Sequence, residues 1–346
     1  MAIHAYTTQA GRINQVKGEI LAHAIPREVL NITGNQHKMD QNTGDTIIFR
    51  RYLPNGATTT NSTTINTITA TPNTHQIQEG VTPQAETIIP QDITVTLDYY
   101  GCLYSYTRKT AEMYEDKIPM HMKKICGERV GLLREMISYG ALKGITNAFY
   151  AGGTTRGTVD ETIKLNLIRN AVRSLEGNRA NPVTTVIRPS RDYNSAPVTP
   201  GYIVFCHTDM AASIRDLPGF IERKEYAKED ALHPRELGSC EEFRFVTSPE
   251  LGSYADSGAA IGSTGLTSTT GTSIDVYPVI VVADDAWGNV ALRGKESFEV
   301  KHLPYDKIDS SDPLGQRGFL GAIFPCAAFI QNDGWAALLE CGALSL

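Results

Sequence analysis

The sequence predicts an α+β chain organised around one long two-stranded hairpin and one long helix. Three observations carry that prediction. The window Tyr52–Gln78 contains no Asp, Glu, Lys or Arg, and its central part, Gly56–Gln76, holds nine threonines. β-Branched Thr and Ile favour extended backbone, and strand-like segments flank the tract on both sides. From Ile118 onward apolar residues recur at threes and fours, the repeat of one helical face. Beyond residue 154, strand-like and helix-like segments alternate.

Composition bounds what such a chain can do. Of 346 residues 41% are apolar and 20% charged, enough for a sizeable core in about two domains, or in one with excursions. Asp and Glu number 38 against 32 Lys and Arg, a net charge of −6. That balance argues against holding nucleic acid by overall basicity, which needs clustered phosphate neutralisation. No basic stretch followed by an apolar run opens the sequence, so no secretory signal is expected. The apolar runs VIVVA and FLGAIFPCAAFI fall short of the ~18 residues of a membrane span, and no membrane partner is expected. Six cysteines, Cys102, Cys126, Cys206, Cys240, Cys326 and Cys341, form no CxxC pair. They read as reduced thiols in apolar positions of a protein made in a cytosol.

The elements follow in order. Residues 1–40 read as an N-terminal arm with a short helix, broken by Pro26 and Gly34. Residues 41–100 read as the extended hairpin loop. Asp45–Leu53 is its outgoing strand, entered through Gly44, and Glu86–Thr107 carries the return. There Ile93, Val95 and Leu97 alternate with Thr94, Thr96 and Asp98 at the period of a strand. An isolated two-stranded hairpin is marginal in water. This one therefore needs a surface that its own sequence does not supply.

Residues 101–153 hold the long helix. Met122, Ile125, Val130, Leu133, Ile137 and Ala141 form its predicted buried face, Pro119 suits the first turn, and Gly152-Gly153 lies beyond the end. Gly101–Tyr150 carries eight Lys or Arg against five Asp or Glu, so the helix is locally basic, although a solvated polar face is the default for such a pattern. Residues 154–292 contain a helix over Glu161–Gly177 and a strand-then-helix segment from Gly201 to Phe220. Thr208 or Asp209 is placed to cap that second helix. Strands follow over Phe243–Ser248 and within Asp275–Trp287, with a Gly/Ser/Thr loop between them. Residues 293–346 return to β structure.

No catalytic constellation emerges. Cys206, His207 and Asp209 lie close in sequence, but neighbours on a strand point to opposite faces, so thiol and imidazole do not meet. They read as a buried thiol, a strand-end histidine and a helix cap. Asp284-Asp285 lacks a third metal ligand at a recognisable spacing. Gly258–Gly265 lacks the Lys-Ser/Thr of a phosphate loop. No enzyme activity, cofactor or metal is expected.

Four segments resemble a known family. Asp312–Trp335 (DPLGQRGFLGAIFPCAAFIQNDGW) resembles the closing segment of major capsid proteins of tailed double-stranded-DNA bacteriophages. Tyr202–Ala227 is similar to that family's strand–helix segment ending in K-x-Y-A, Asp275–Leu292 to its late strand with an aromatic-Gly turn, and Gln78–Pro83 to the turn at the hairpin base. The resemblance implies an N-terminal arm, extended hairpin loop, long spine helix, peripheral domain and axial domain. These would span residues 1–40, 41–100, 101–153 (with the start of the peripheral domain), 154–292 for the axial domain, and 293–346 for the return to the peripheral domain. It implies a self-assembling icosahedral shell of hexamers and pentamers around packaged DNA, assembled in the host cytoplasm and ending in the virion. A portal and scaffold or cement proteins are the further partners. A nanocompartment shell of the same fold, a β-rich tail or adhesion protein, and a hydrolase built on Cys206 or Asp284 are the alternatives. The sequence departs from the family at Ala322 and Pro325, where bulky strand residues are expected. Pro325 removes a ladder hydrogen bond, so that strand must bulge or lie at an edge there.

The resemblance also assigns roles. Arg50, Arg51 and Glu79 are candidates for charge pairs with a neighbouring subunit. Thr58, Thr60, Thr64 and Thr67 are candidates for uncharged contacts that avoid burying ions. Lys123, Lys124, Arg129, Arg134 and Lys143 are expected to face the DNA, with diffuse phosphate contacts only. Some shells of this family weld subunits through a hairpin lysine. None lies between Lys38 and Lys109, so a non-covalent shell is expected. A strand beginning by Asp45 leaves no room for a built-in scaffold, and the mature subunit is expected to retain the start of the chain.

Overall fold

Fifteen strands and four helices are seen among the described residues of the computed structural model, which are 28–53, 72–82, 85, 87–113, 118–187, 195–226, 232–262, 264–294, 299–308 and 312–345. In chain order they are β1 (Asn35–Met39), β2 (Thr46–Leu53), β3 (Ile89–Thr96), β4 (Asp98–Thr107), α1 (Arg108–Met113), α2 (Ile118–Leu142), β5 (Ala148–Tyr150), α3 (Leu165–Gly177), β6 (Val183–Ile187), β7 (Ser195–His207), α4 (Ala211–Arg215), β8 (Ile221–Glu222), β9 (Glu236–Cys240), β10 (Phe243–Ser248), β11 (Val276–Val282), β12 (Trp287–Leu292), β13 (Glu299–Leu303), β14 (Arg317–Ile330) and β15 (Ala336–Gly342).

The larger sheet has eight strands in the order β5-β15-β11-β7-β10-β9-β8, with β6 pairing β7. Its central strands are covered on both faces, which is why they read as unbroken apolar runs. Period-two geometry divides each strand between two cores. Tyr202, Val204, Cys206, Val279, Val281, Leu339 and Cys341 pack with Ile168, Ala171, Val172 and Leu175 of α3. Ile203, Phe205, Ile280, Val282 and Leu338 face the other way, onto Val29, Leu30, Ile32, Tyr139, Leu142 and Trp287. The end of the predicted arm is thus core, and β1 continues it by pairing in parallel with β12 from Asn35↔Gly288 to Met39↔Leu292.

The second sheet has five strands: β1-β12-β14-β13 with β4 also on β14. β14 pairs β4 without a register shift, from Arg317↔Thr107 to Cys326↔Asp98. Two further strands pair with it. β13 covers it from Phe319 to Ile323 and β12 from Ala327 to Ile330. Pro325, which cannot donate a ladder bond, lies between these two pairings and opposite Tyr99 of β4. Gly318 lets the Tyr106 ring lie against β14, where any Cβ would collide with it.

α2 covers one face of this sheet. Met122, Cys126 and Val130 pack with Tyr106, Leu320, Ala322 and Phe324, supported by Leu133 and Ile137. The predicted face was one residue out at Ile125, which is 46% exposed. A stripe through 122, 126 and 130 advances by fours, so Cys126 occupies the buried position and Ile125 is turned about 100° away. Beyond Val130 the buried set becomes Glu135, Ser138, Tyr139 and Leu142, because the second half of the helix packs against the other core. The helix ends at Leu142, well before Gly152-Gly153. Asp333 accepts from the Thr146 backbone N–H at 3.0 Å and also from its hydroxyl, drawing the chain out of the helical path.

A second correction concerns the start of the short helical segment after β7. The cap is His207, whose Nδ1 accepts from the Asp209 N–H at 3.1 Å. Asp209 instead accepts from the Tyr277 hydroxyl at 2.8 Å. Cys206 is fully buried, and burial pushes its thiol up to about 12, an inert state for a thiol.

One buried carboxylate ties α2 to the arm. Glu135 is 1% exposed, and its Oε1 accepts from the Val29 and Leu30 N–H groups at 2.9 and 3.1 Å. Burial pushes this carboxyl up to about 7; the two backbone donors oppose the rise, and Glu28 and Glu250 add to it. The folded state therefore binds its proton more tightly than the unfolded chain, whose carboxyl titrates near 4.5. The stability it contributes is fully present below that lower value and is lost as pH rises towards 7. Glu135→Gln, which keeps an oxygen acceptor, should shrink the difference in unfolding free energy between pH 5 and pH 8 by about 3 kcal/mol. An unchanged difference in denaturant titrations contradicts this assignment.

Candidate assembly surfaces

The hairpin is the first candidate surface. β2 and β3 pair antiparallel from Thr46↔Thr96 to Leu53↔Ile89, and residues directly opposite share a face. One face carries Ile47, Phe49, Ile93 and Val95, and it packs on Met39, Val290, Ala327 and Phe329. The Phe49 and Phe329 rings stack with centroids 4.7 Å apart, and His37 lies 4.9 Å from Phe49. The opposite face has no such cover among the described residues. Ile48 is 58% and Tyr52 65% exposed, and Ile77, Val81 and Ile88 beyond the strands are also exposed. Chain-internal packing thus holds the base of the ribbon and leaves a row of large apolar side chains in water.

The charged candidates on the hairpin are placed differently from one another. Arg50 lies directly across from Asp92 and grips it with both prongs, Nε to Oδ1 at 2.7 Å and Nη2 to Oδ2 at 2.8 Å. That contact holds the Asp92 carboxyl below its ordinary value. Arg51 is half-buried, and its Nε donates to Gln91 Oε1 at 2.7 Å while Nη1 reaches the Gln331 carbonyl at 3.5 Å. Burial lowers its affinity for the proton. Both arginines are therefore engaged within the subunit, where they brace the ribbon. Glu79 is exposed at the turn that follows Pro72–Thr74. Thr58, Thr60, Thr64 and Thr67 lie outside the described residues.

The second candidate surface is α2. Lys123, Lys124 and Arg129 are exposed. Arg134 is half-buried with its guanidinium 5.2 Å from the centroid of the Phe324 ring. Lys143 follows the last helical residue, and its Nζ lies 4.4 and 4.6 Å from the Tyr139 and Tyr254 rings. Burial and then the nearby Arg156 lower its pKa. Three of the five cations are thus on open surface, while two lie against aromatic rings.

Two features escaped the sequence reading. Arg156 makes a bidentate pair with Glu340, at 2.8 and 2.6 Å, and its guanidinium lies 3.7 Å from the Tyr254 ring centroid. Glu340 is 1% exposed, and 184 residues separate it from Arg156. No local pattern announces such a pair. The other feature is the face of the five-stranded sheet opposite α2, where Tyr99, Leu103, Leu303 and Ile323 are each more than a third exposed. Leu103, Leu303, Phe319 and Ile323 line a shallow depression of about 250 Å³ there. Its signal was present in the alternation of β4, whose aromatic and aliphatic residues fall on both faces.

The whole chain is similar to solved phage capsids. The chain matches the Cyanophage Pam1 capsid asymmetric unit with a TM-score of 0.63, at 13% identity over 99% of this chain and 98% of that one. It matches the capsid of Ralstonia phage GP4 with a TM-score of 0.63, at 11% identity over 97% and 99%. It matches the head structure of Helicobacter pylori bacteriophage KHP40 with a TM-score of 0.60, at 12% identity over 97% and 99%. The chain has the fold of a tailed-phage major capsid protein. Among curated proteins, the major capsid protein of Pseudomonas phage KPP21 is 20% identical over 269 residues, which are 70% of this chain and 66% of that protein. No family model matches the chain. The resemblance to tailed-phage major capsid proteins is borne out.

If the Phe49–Phe329 stack anchors the base of the ribbon, Phe49→Ala should lower subunit stability by about 2 kcal/mol and raise hydrogen exchange across β2 and β3. Unchanged exchange in those strands would place the anchor elsewhere.

Proposed function

We propose that this chain is the structural subunit of an icosahedral phage shell, assembling with copies of itself into hexamers and pentamers around double-stranded DNA, and that it has no catalytic role. The observation that carries the reading is the hairpin of a capsid fold: held at its base, apolar and exposed on one face, and charge-free at its tip. A neighbouring subunit supplies the missing cover. The exposed sheet face around Leu103 and Ile323 has the matching apolar character. Its burial would be favourable at about 25 cal/mol per Å². Uncharged Thr and Asn at the tip would hydrogen-bond without desolvating ions. Each contact is small, and the shell repeats it at every subunit. Two mixed sheets with long apolar cores do not suit the shaft of a tail or adhesion protein.

Lys123, Lys124 and Arg129 are the residues proposed to meet the DNA, through phosphates and without base readout. Glu79 remains a candidate for an inter-subunit pair, whereas Arg50 and Arg51 act first within the ribbon. A portal and a scaffold or cement protein would complete the particle, which is assembled in the host cytoplasm.

Electron microscopy of the expressed chain should show closed shells, and a monodisperse monomer at high concentration in every salt would contradict the proposal. Two variants resolve the roles. Deleting Thr58 to Thr74 should leave a folded subunit that forms unstable shells or none. Reversing the charges of Lys123, Lys124 and Arg129 should lower packaged DNA in shells that still form; lost assembly with unchanged packing in the remaining particles would make α2 an interface instead. Boiled particles should run as monomer, and a covalent ladder would overturn the non-covalent reading.

A further inference from the structure

α2 and β4 carry a pair of thiols that the shell reading does not use. Cys102 of β4 and Cys126 of α2 face each other with their sulfurs 3.2 Å apart, and Cys102 Sγ also lies 3.9 Å from the Cys126 carbonyl. Cys102 is half-buried and Cys126 is fully buried in the core between helix and sheet. A disulfide has its sulfurs about 2.05 Å apart, so closure needs little more than 1 Å of sulfur movement, within reach of small side-chain rotations. The two positions are 24 residues apart, and they join the elements whose packing defines the five-stranded part of the molecule.

We propose that Cys102 and Cys126 form an intrasubunit disulfide once the particle leaves a reducing compartment, with a low-molecular-weight disulfide as the oxidant. The timing rests on the shell reading; the chemistry of the pair does not. In the cytosol both thiols stay reduced. Outside it, Cys102 is the accessible partner. Its thiolate attacks one sulfur of the small disulfide RSSR, the S–S bond breaks, and RS⁻ leaves and takes a proton. Cys126 then gives up its proton to solvent and attacks Cys102 Sγ, forming the protein disulfide and expelling the second RS⁻. The protein loses two electrons, and one RSSR becomes two RSH.

Burial, then the contact with Cys102, pushes the Cys126 thiol up to about 12. The second step is therefore slow at neutral pH and accelerates as pH rises, because the thiolate is the attacking species. Slow closure suits a bond made in a persisting particle and avoided during assembly. Once made, it pins α2 to β4 and constrains the unfolded chain over that loop.

The test uses the full chain, both as unassembled subunit and as shells, incubated at pH 8.5 with oxidised glutathione or with dithiothreitol, then denatured and alkylated. Six cysteines should alkylate after reduction. After oxidation the intact mass should fall by about 2 Da before alkylation, and peptide mapping should recover a Cys102–Cys126 cross-link. The thermal transition of the oxidised protein should rise by roughly 5 °C. Cys102→Ser, at the half-buried position, should lose both the mass change and the thermal shift, and Cys126→Ala should do the same. Six alkylatable thiols in the oxidised wild type, a glutathione adduct persisting at Cys102, or a cross-link between subunits would each overturn the proposal. Because the unassembled subunit is read as well, a failure to form shells would refute the shell reading and leave the thiol pair to be judged on its own.

Discussion

The five-stranded sheet, α2 and the hairpin base all meet at β14. Of its fourteen residues, Arg317–Cys326 pair with β4, Phe319–Ile323 with β13 and Ala327–Ile330 with β12. Its inward side chains, Leu320, Ala322 and Phe324, form the floor on which α2 lies, and Phe329 at its end receives the hairpin base through Phe49. The change of partner around Pro325 makes this possible. A strand with a continuous second edge would extend one partner; a strand that lacks a donor at one point ends one pairing and begins another. The arm follows from the same arrangement, since β1 is placed by β12, and β12 by β14.

That arrangement leaves one unit unfinished. β2 and β3 pack on the rest of the chain through one face only, and a two-stranded ribbon has no second layer of its own. Three solutions are open to such a ribbon: a polar coat, a fold-back onto its own subunit, or a foreign surface. Ile48 and Tyr52 argue against the first, and the second covers one face only, that of Ile47, Phe49, Ile93 and Val95. Arg50 with Asp92 and Arg51 with Gln91 stiffen the ribbon by cross-strand contacts, so less freedom is lost when a neighbour receives it.

Much of this was legible from residue order. The alternation Ile93, Val95, Leu97 marked the inward face of β3, and the structure buries Val95 and Leu97. Pro325 announced a break in pairing because a missing N–H is a local property. What stayed hidden depended on distant partners. Cys126 was read only as an apolar thiol, since nothing near it names Cys102. Ile125 entered the predicted face because apolar character alone cannot set the phase of a helix that meets two different cores. Asp333 ends α2 from almost two hundred residues away, and Glu340 engages Arg156 over a similar span. Among the candidate contacts, exposure was harder to foresee than charge: Arg134 and Lys143 carry the expected charge but lie on aromatic rings.

The claim at the centre of this account is that the ribbon completes its packing on another copy of the chain. Hydrogen exchange measured on the isolated subunit and on the assembled particle compares the two states directly. The account predicts that β7, β11 and β15 are strongly protected in both, whereas β2, β3 and the tract between them gain protection by an order of magnitude or more only on assembly. Equal protection of the ribbon in both states would contradict it, because the ribbon would then be finished within the subunit.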